Sequence, residues 1–311
     1  MTVGIIGAGA MGSLFGGRLA QAGVEVVLFD INEPHVAAIQ KQGLKIEELA
    51  TGRTELCRPR ATSEAAELRA ADYLLVFVKS AATQAVAERF AALAAPGAVA
   101  VTVQNGLGNE GILKSHFGAA RTAAGVTAQG ATFVGPGHIR HAGRGPTHLC
   151  MSDRRNERLL PLVEAFNRAG LDTQIEDNID DLIWSKLIIN VGINALTALV
   201  GVHNGQLLDS EDTLALMADL VDEAVAVARA LGIALTYDNP LERVREVADK
   251  TGKNRSSMLQ DFDNRRGTEI DFINGAVVRE AEALGIPAPV NRAVTHLVKA
   301  VEARFRREQE R

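Results

Sequence analysis

Two cysteines, Cys57 and Cys150, are all that the 311 residues contain, and they have no CxxC spacing. That excludes a disulfide framework and a thiolate metal site and leaves two reduced, structural thiols. Positive charge is not in excess either. Lys and Arg number 33 against 38 Asp and Glu, and a formal net charge of −5 argues against a nucleic-acid surface. No apolar run crosses a membrane's width without interruption by charge or glycine, so no membrane partner is expected. Internal repeats and low-complexity segments are missing. The chain begins at once with a strand, so no signal peptide is expected and the cytoplasm is the natural compartment. His138, His141 and His148 have no recognised metal spacing, and the first two fall on opposite faces of one strand. They read as structural or surface residues, and no metal is expected. With 47% hydrophobic and 23% charged residues, the chain has the composition of an ordinary globular protein, long enough for two domains.

What is present is concentrated first in Met1 to Asp30. Val3 to Ile6 reads as a short, buried, β-branched strand, followed directly by Gly7-Ala8-Gly9-Ala10-Met11-Gly12. From Met11 to Ala22, the apolar residues Met11, Leu14, Phe15, Leu19 and Ala22 recur at helical spacing, and Gly23 sits where a helix stops. A valine-rich strand, Val24 to Phe29, then ends at Asp30. Strand, GxGxxG, helix, strand and acid within about thirty residues is the arrangement that cradles a dinucleotide. Gly7 permits the tight turn, Gly9 lets backbone approach the pyrophosphate, and Gly12 lets the helix pack close to the strand. The pyrophosphate would sit on the helix N-terminus, around Ala10 and Met11. Asp30 would accept hydrogen bonds from the adenosine ribose hydroxyls and repel a 2′-phosphate by on the order of 1 to 4 kcal/mol. Ile31, Asn32 and Glu33 supply no cation to offset it. NAD(H) is therefore favoured, with NADP(H) as the alternative; a helix N-cap or turn aspartate before Pro34 is the plain reading of Asp30.

Further along, Pro34 to Gln42 reads as a helix, and Leu44 to Cys57 as an irregular strand pair at the sheet edge. Tyr73 to Val78 is the clearest core strand, with Lys79 at its carboxyl end, where ligands of doubly wound sheets bind. Lys79 is a candidate contact for cofactor or substrate, or else a solvated loop lysine. Ala98 to Val103 is another parallel strand. Asn105 leaves its carboxyl end beside Gly106 and Gly108, placed to hydrogen-bond nicotinamide or substrate unless it forms a plain turn. From Thr122, short strands broken by glycine and proline suggest an antiparallel extension of the sheet. A helix from Glu157 to Arg168 and a strand from Asp172 to Glu176 close this half. The expected fold class is α/β: an N-terminal Rossmann-type dinucleotide-binding domain, residues 1–178, with an all-helical C-terminal substrate and catalytic domain, residues 179–311.

In the helical half, Lys186, Asn190 and Asn194 follow one another at intervals of four and share one face, while Leu187, Ile188, Val191 and Ile193 make the core side. Polar residues on one stripe of an apolar helix face water, a partner or a ligand. Asparagine is a poor helix former and rare on solvated faces, which favours a ligand. Asn204-Gly205 reads as a turn, and helices follow over Thr213 to Leu231 and Leu241 to Asp249. The charged stretch Arg304 to Arg311 reads as a fraying helix end.

The glycine fingerprint, the KLxxNxxxN helix followed by LTA, the stretch Asn254-Arg255-Ser256-Ser257-Met258-Leu259-Gln260-Asp261 and the stretch Thr268-Glu269-Ile270-Asp271-Phe272-Ile273-Asn274-Gly275 come in an order and at separations that resemble the 2-dehydropantoate 2-reductase (ketopantoate reductase) family over nearly the full length. The resemblance implies hydride transfer from nicotinamide C4 to the ketone carbon of a small 2-oxo acid. By similarity, Lys186 is the general acid for the developing alkoxide, and Glu269 orients it or contacts the substrate hydroxyl. Asn190, Asn194 and Asn254 hold the substrate and Ser257 its carboxylate. Asn105 and Lys79 match positions near cofactor and substrate, and Asn204 matches a less certain one. Members that use NADPH commonly carry an arginine just past the second strand, where this chain has Asp30-Ile31. An NAD-dependent dehydrogenase of another small 2-hydroxy or 2-oxo acid therefore stays open. The 3-hydroxyacid dehydrogenases would share the first domain but not the Ser257 and Glu269 stretches, and a non-enzymatic NAD sensor would have no use for Lys186 and Glu269. Helical second domains often dimerise, which leaves a homodimer open.

Overall fold

The computed structural model describes residues 1–309; Glu310 and Arg311, the tip of the stretch read as a fraying end, lie outside the described residues. The chain forms two compact units. One holds Met1–Gln104 and Asn109–Ile179, and the other holds Asn105–Gly108 together with the chain from Asp180 onward.

The first unit is built on an eight-stranded sheet. β1 (Thr2–Ile6) and β2 (Glu25–Phe29) pair in parallel, and both are buried on both faces apart from their first residues, as β-branched runs under two helical layers should be. Between them, α1 (Ala10–Gln21) rides close to the strands, because a side chain at Gly16 would run into Leu28 and Ile5. α2 (Glu33–Gln42) follows β2. With β5 (Arg60–Thr62), β6 (Tyr73–Val76), β7 (Val99–Thr102), β8 (Thr122–Thr127), β11 (Thr147–Met151) and β12 (Thr173–Ile175), the strand order is β12-β11-β8-β7-β6-β1-β2-β5. The six strands from β5 to β8 are parallel, and β11 joins β8 antiparallel. The chain runs outward from β1 through β2 to β5, then crosses back to β6, so the strand order reverses between β1 and β6. That is where ligands of doubly wound sheets bind.

Two expectations are corrected here. Leu44 to Cys57 does not lie at the edge of this sheet. β3 (Leu44–Glu48) and β4 (Thr54–Cys57) belong to a separate four-stranded sheet of order β4-β3-β10-β9, with β9 (Gly130–Gly135) and β10 (His138–Gly143). The edge is β5, whose three residues are too few to show a pattern. β3 alternates buried and less buried residues, the signature of a strand with one covered face. Nor does the whole stretch from Thr122 extend the main sheet. Only β8 and β11 do so, while β10 pairs in parallel with β3.

Phenylalanines weld the layers. Phe15 of α1 meets Phe77 and Phe166 of α5 (Leu160–Arg168) at 5.0 and 5.3 Å between ring centres, and on the opposite face Phe29 meets Phe90 of α3 (Thr83–Leu93) at 5.2 Å. α4 (Asn109–Phe117) adds Leu113 and Phe117 to that second core. Cys57 and Cys150 are free and buried, and burial pushes the Cys57 thiol up to about 11. His141 is wedged between Glu48 at 3.1 Å and Gln129 at 2.8 Å, and His148 lies 2.7 Å from Glu176.

The second unit is helical: α6 (Asp180–Val200), α7 (Glu211–Ala230), α8 (Pro240–Lys250), α9 (Ser257–Asp263), α10 (Asn274–Leu284) and α11 (Pro289–Gln309). α6 is its core helix, with Leu187, Ile188 and Val191 buried. By length and mean hydropathy α6 alone among the described residues reaches the range of a membrane-crossing helix, and 67% of its apolar window is buried inside the protein. A polar rod runs through this core. Asn274 Nδ2 donates to Asn291 Oδ1 at 3.0 Å, Asn291 Nδ2 donates to Glu223 at 2.8 Å, and the Glu223 carboxylate also accepts the Val290 and Asn291 N–H groups at the start of α11.

Candidate active site

The candidate residues of the first unit act through backbone. Gly7 sits at φ +91°, a left-handed conformation that glycine adopts without strain, and an added Cβ would lie 2.8 Å from the Val78 nitrogen. The Gly7 and Ala8 N–H groups both donate to the Phe29 carbonyl, at 2.9 and 3.2 Å, which binds the turn to the end of β2 and thus to Asp30. A side chain at Gly12 would collide with the Gly7 carbonyl and Ile5, whereas above Gly9 there is open space. α1 starts at Ala10 with no side-chain cap and no acidic residue in its first turn. Its unsatisfied N–H groups and the positive end of its dipole make a place for an anion.

Asp30 is half-buried. Its Oδ1 accepts the Asn32 N–H at 2.9 Å, which holds the carboxylate in place. The cap of α2 is Asn32, whose side chain accepts the His35 N–H at 3.2 Å. Asp30 is thus not the N-cap. Lys79 stands exposed past the end of β6, which stops at Val76 and not Val78 because the glycine turn packs on the backbone of Phe77 and Val78.

The candidate residues of the second unit act through side chains. Lys186 and Asn190 are half-buried on α6, and Asn194, one turn on, is buried. Glu269 is buried as well, and its charge acts on Lys186. Burial pulls the Lys186 ammonium down to about 8, and the Glu269 carboxylate partly opposes that shift. Ser257 opens α9, which Ser256 caps by accepting the Leu259 N–H at 3.0 Å. Thr197 of α6 donates to the same Ser256 hydroxyl at 2.7 Å, tying the start of α9 to the stripe that carries Asn194. Asn105 belongs to the four residues that cluster with this unit. Leu107 N–H donates to the Phe272 carbonyl at 2.8 Å, three residues beyond Glu269. Gly106, at φ +84°, leaves no room for a side chain against the same carbonyl.

Asn204 and Asn254 are placed differently from the others. Asn254 is exposed, and its carbonyl accepts the Asn204 N–H at 3.1 Å. Asn204 Nδ2 donates to Thr251 at 2.9 Å, so Asn204 braces the loop that carries Asn254, and its Oδ1 is buried without a partner. Sequence reasoning passed over Thr197 and Ser256, the rod of Asn274 and Asn291, and the buried pair Ser13 and His35. A hydroxyl on the buried face of α1 was the available signal for the last. Among the described residues, no group of three or more His, Cys, Asp or Glu is arranged to hold a metal.

Set beside known proteins, residues 3–153 match the family profile "Ketopantoate reductase PanE/ApbA", and residues 178–302 match its C-terminal counterpart. The chain belongs to the ketopantoate reductase family. A 2-dehydropantoate 2-reductase of Halobacterium salinarum is 35% identical over 303 residues, covering 97% of this chain and 99% of the relative. A PanE/ApbA family ketopantoate reductase from Ralstonia eutropha JMP134, solved by crystallography, superposes with a TM-score of 0.91 at 36% identity and covers 98% of this chain and all of its own. D-mandelate dehydrogenase in a ternary structure with NADH and anilino(oxo)acetate superposes at 0.89 with 28% identity, covering 98% of this chain and 100% of its own.

Proposed function

We propose that this family member reduces ketopantoate to pantoate, with NAD(H) preferred over NADP(H). The chain is an oxidoreductase that uses a nicotinamide cofactor and a small 2-oxo acid. The first unit is read as the dinucleotide-binding domain and the helical unit as the substrate and catalytic domain. The observation that carries the reading is the pair of Lys186 and Glu269, a lysine kept near its titration point beside a carboxylate.

The residues of the first unit fit a dinucleotide: an uncapped helix start, open space over Gly9 and a fixed acid at the end of β2. When bound, the reduced nicotinamide supplies a hydride to the ketone carbon. Lys186 then gives a proton to the oxygen that becomes the hydroxyl. Its positive charge stabilises that oxygen as negative charge develops. Glu269 keeps the ammonium charged and aimed. Asn190, Asn194 and Asn254 hold the substrate, Ser257 receives its carboxylate, and Asn105 and Lys79 border cofactor and substrate. Asn204 acts on substrate through the loop it braces. The preference for NAD(H) is supported by Asp30, by the lack of a cation at Ile31, Asn32 and Glu33, and by the NADH in the D-mandelate dehydrogenase structures.

The test is a paired assay with ketopantoate, following oxidation of NADH and NADPH at equal, subsaturating concentrations. Efficient turnover with NADH preferred supports the whole reading. Turnover with NADPH alone keeps the activity and removes the Asp30 argument. Tight NADH binding with no turnover transfers the fold to another 2-oxo acid.

A further inference from the structure

Beneath the glycine turn runs a buried chain of hydrogen bonds that the chemistry above does not use. His35, 1% exposed, lies in the first turn of α2, just past Asp30. The Gly137 N–H donates to His35 Nδ1 at 2.9 Å. A backbone N–H can only donate, so Nδ1 is the bare nitrogen and Nε2 carries the hydrogen. Nε2–H then donates to Ser13 Oγ at 3.1 Å, and the Ser13 hydroxyl donates to the Ala8 carbonyl at 2.7 Å. The first bond therefore sets the direction of the other two.

Ala8 is the second residue of the glycine turn. Its N–H, with that of Gly7, is held by Phe29, and its carbonyl is held by Ser13. The turn is thus anchored on the donor side by β2 and on the acceptor side by the imidazole chain.

We propose that His35 is a positioning residue for the dinucleotide: in its Nε2–H form it holds the Ala8 carbonyl through Ser13, and with it the shape of the turn that receives the pyrophosphate. The inference rests on the cofactor reading of that turn. A protonated ring would carry a hydrogen on Nδ1 as well, facing the Gly137 N–H, so that bond would be lost while Nε2–H keeps its hold on Ser13. Around the ring stand Ser13 from α1, the Phe133 ring of β9 at 4.9 Å and Gly137 from the turn before β10. Burial pushes the imidazole below its ordinary value and keeps the ring neutral, outweighing the Asp30 charge and a hydrogen bond to the Ala8 carbonyl itself, both of which favour protonation.

The experiment measures the NADH dissociation constant of the full-length protein, wild type and variants. His35→Gln places an amide nitrogen near the position of Nε2 and keeps the donor to Ser13. His35→Asn ends near Nδ1 and keeps only Gly137. Ser13→Ala keeps the ring and removes the link. We expect His35→Asn and Ser13→Ala to weaken NADH by about five- to tenfold, the worth of one buried hydrogen bond, with turnover at saturating NADH within about twofold. His35→Gln restores binding. The inference is overturned if Ser13→Ala binds like wild type, or if His35→Gln is as weak as His35→Asn. If wild type binds neither NADH nor NADPH, the cofactor reading itself fails and takes this inference with it.

Discussion

The two units carry candidate binding sites of opposite construction. In the first, the site is made by leaving atoms out: no side chain at Gly7, Gly9 or Gly12, and no cap on α1. In the second, it is made by putting polar side chains where apolar ones would be cheaper to bury. Asn194 and Glu269 are buried, and Lys186 is pulled from 10.5 to about 8. A site of backbone N–H groups has no proton of its own to gain or lose. A site of side chains titrates, and that is what proton transfer requires.

Substitutions sharpen this contrast. Lys186→Ala is expected to lower turnover by about 10² to 10⁴ while NADH affinity stays within about twofold, as comparison of kcat with a directly measured dissociation constant will show. Gly12→Ala does the reverse. The new methyl meets the Gly7 carbonyl, and relief of that clash costs about 1 to 3 kcal/mol, so NADH binding weakens by about ten- to a hundredfold while saturated turnover changes little. For Asp30→Ala, steady-state kinetics with both cofactors should show NADH weakened and NADPH improved, each by about tenfold, since on the proposed reading one change removes ribose bonds and phosphate repulsion together. The smallest effect belongs to Glu269→Gln. The Glu269 charge raises the Lys186 pKa, so its loss moves the alkaline fall in turnover to lower pH, a shift read from paired pH–rate profiles.

Lys186 also affects stability. Because its folded pKa is depressed, the unfolded chain holds more protons between about 8 and 10.5. Its burial therefore costs stability below about 8, and the cost is relieved as pH rises through that window.

How much of this was legible depends on how local each feature is. The glycine turn could be read because Gly7, Gly9, Gly12 and Asp30 act within one strand, helix and strand. The stripe of Lys186, Asn190 and Asn194 could be read because one helix sets its spacing. Glu269 was found only by resemblance, since nothing in its own neighbourhood says that it faces Lys186. The second sheet was misplaced for a related reason: β3 pairs with β10, far along the chain, and short strands do not announce long-range partners. Ser13 and His35 were passed over because the hydroxyl on the buried face of α1 was the one signal available, and a single polar residue forms no pattern.

The most direct test follows kcat for ketopantoate reduction at saturating NADH from about pH 6 to about pH 10. If Lys186 gives the proton, turnover is level on the acid side and falls about tenfold per pH unit above about 8, as the ammonium is lost. Turnover that stays level through that range would contradict the account, because the neutral amine would then serve as well as the acid.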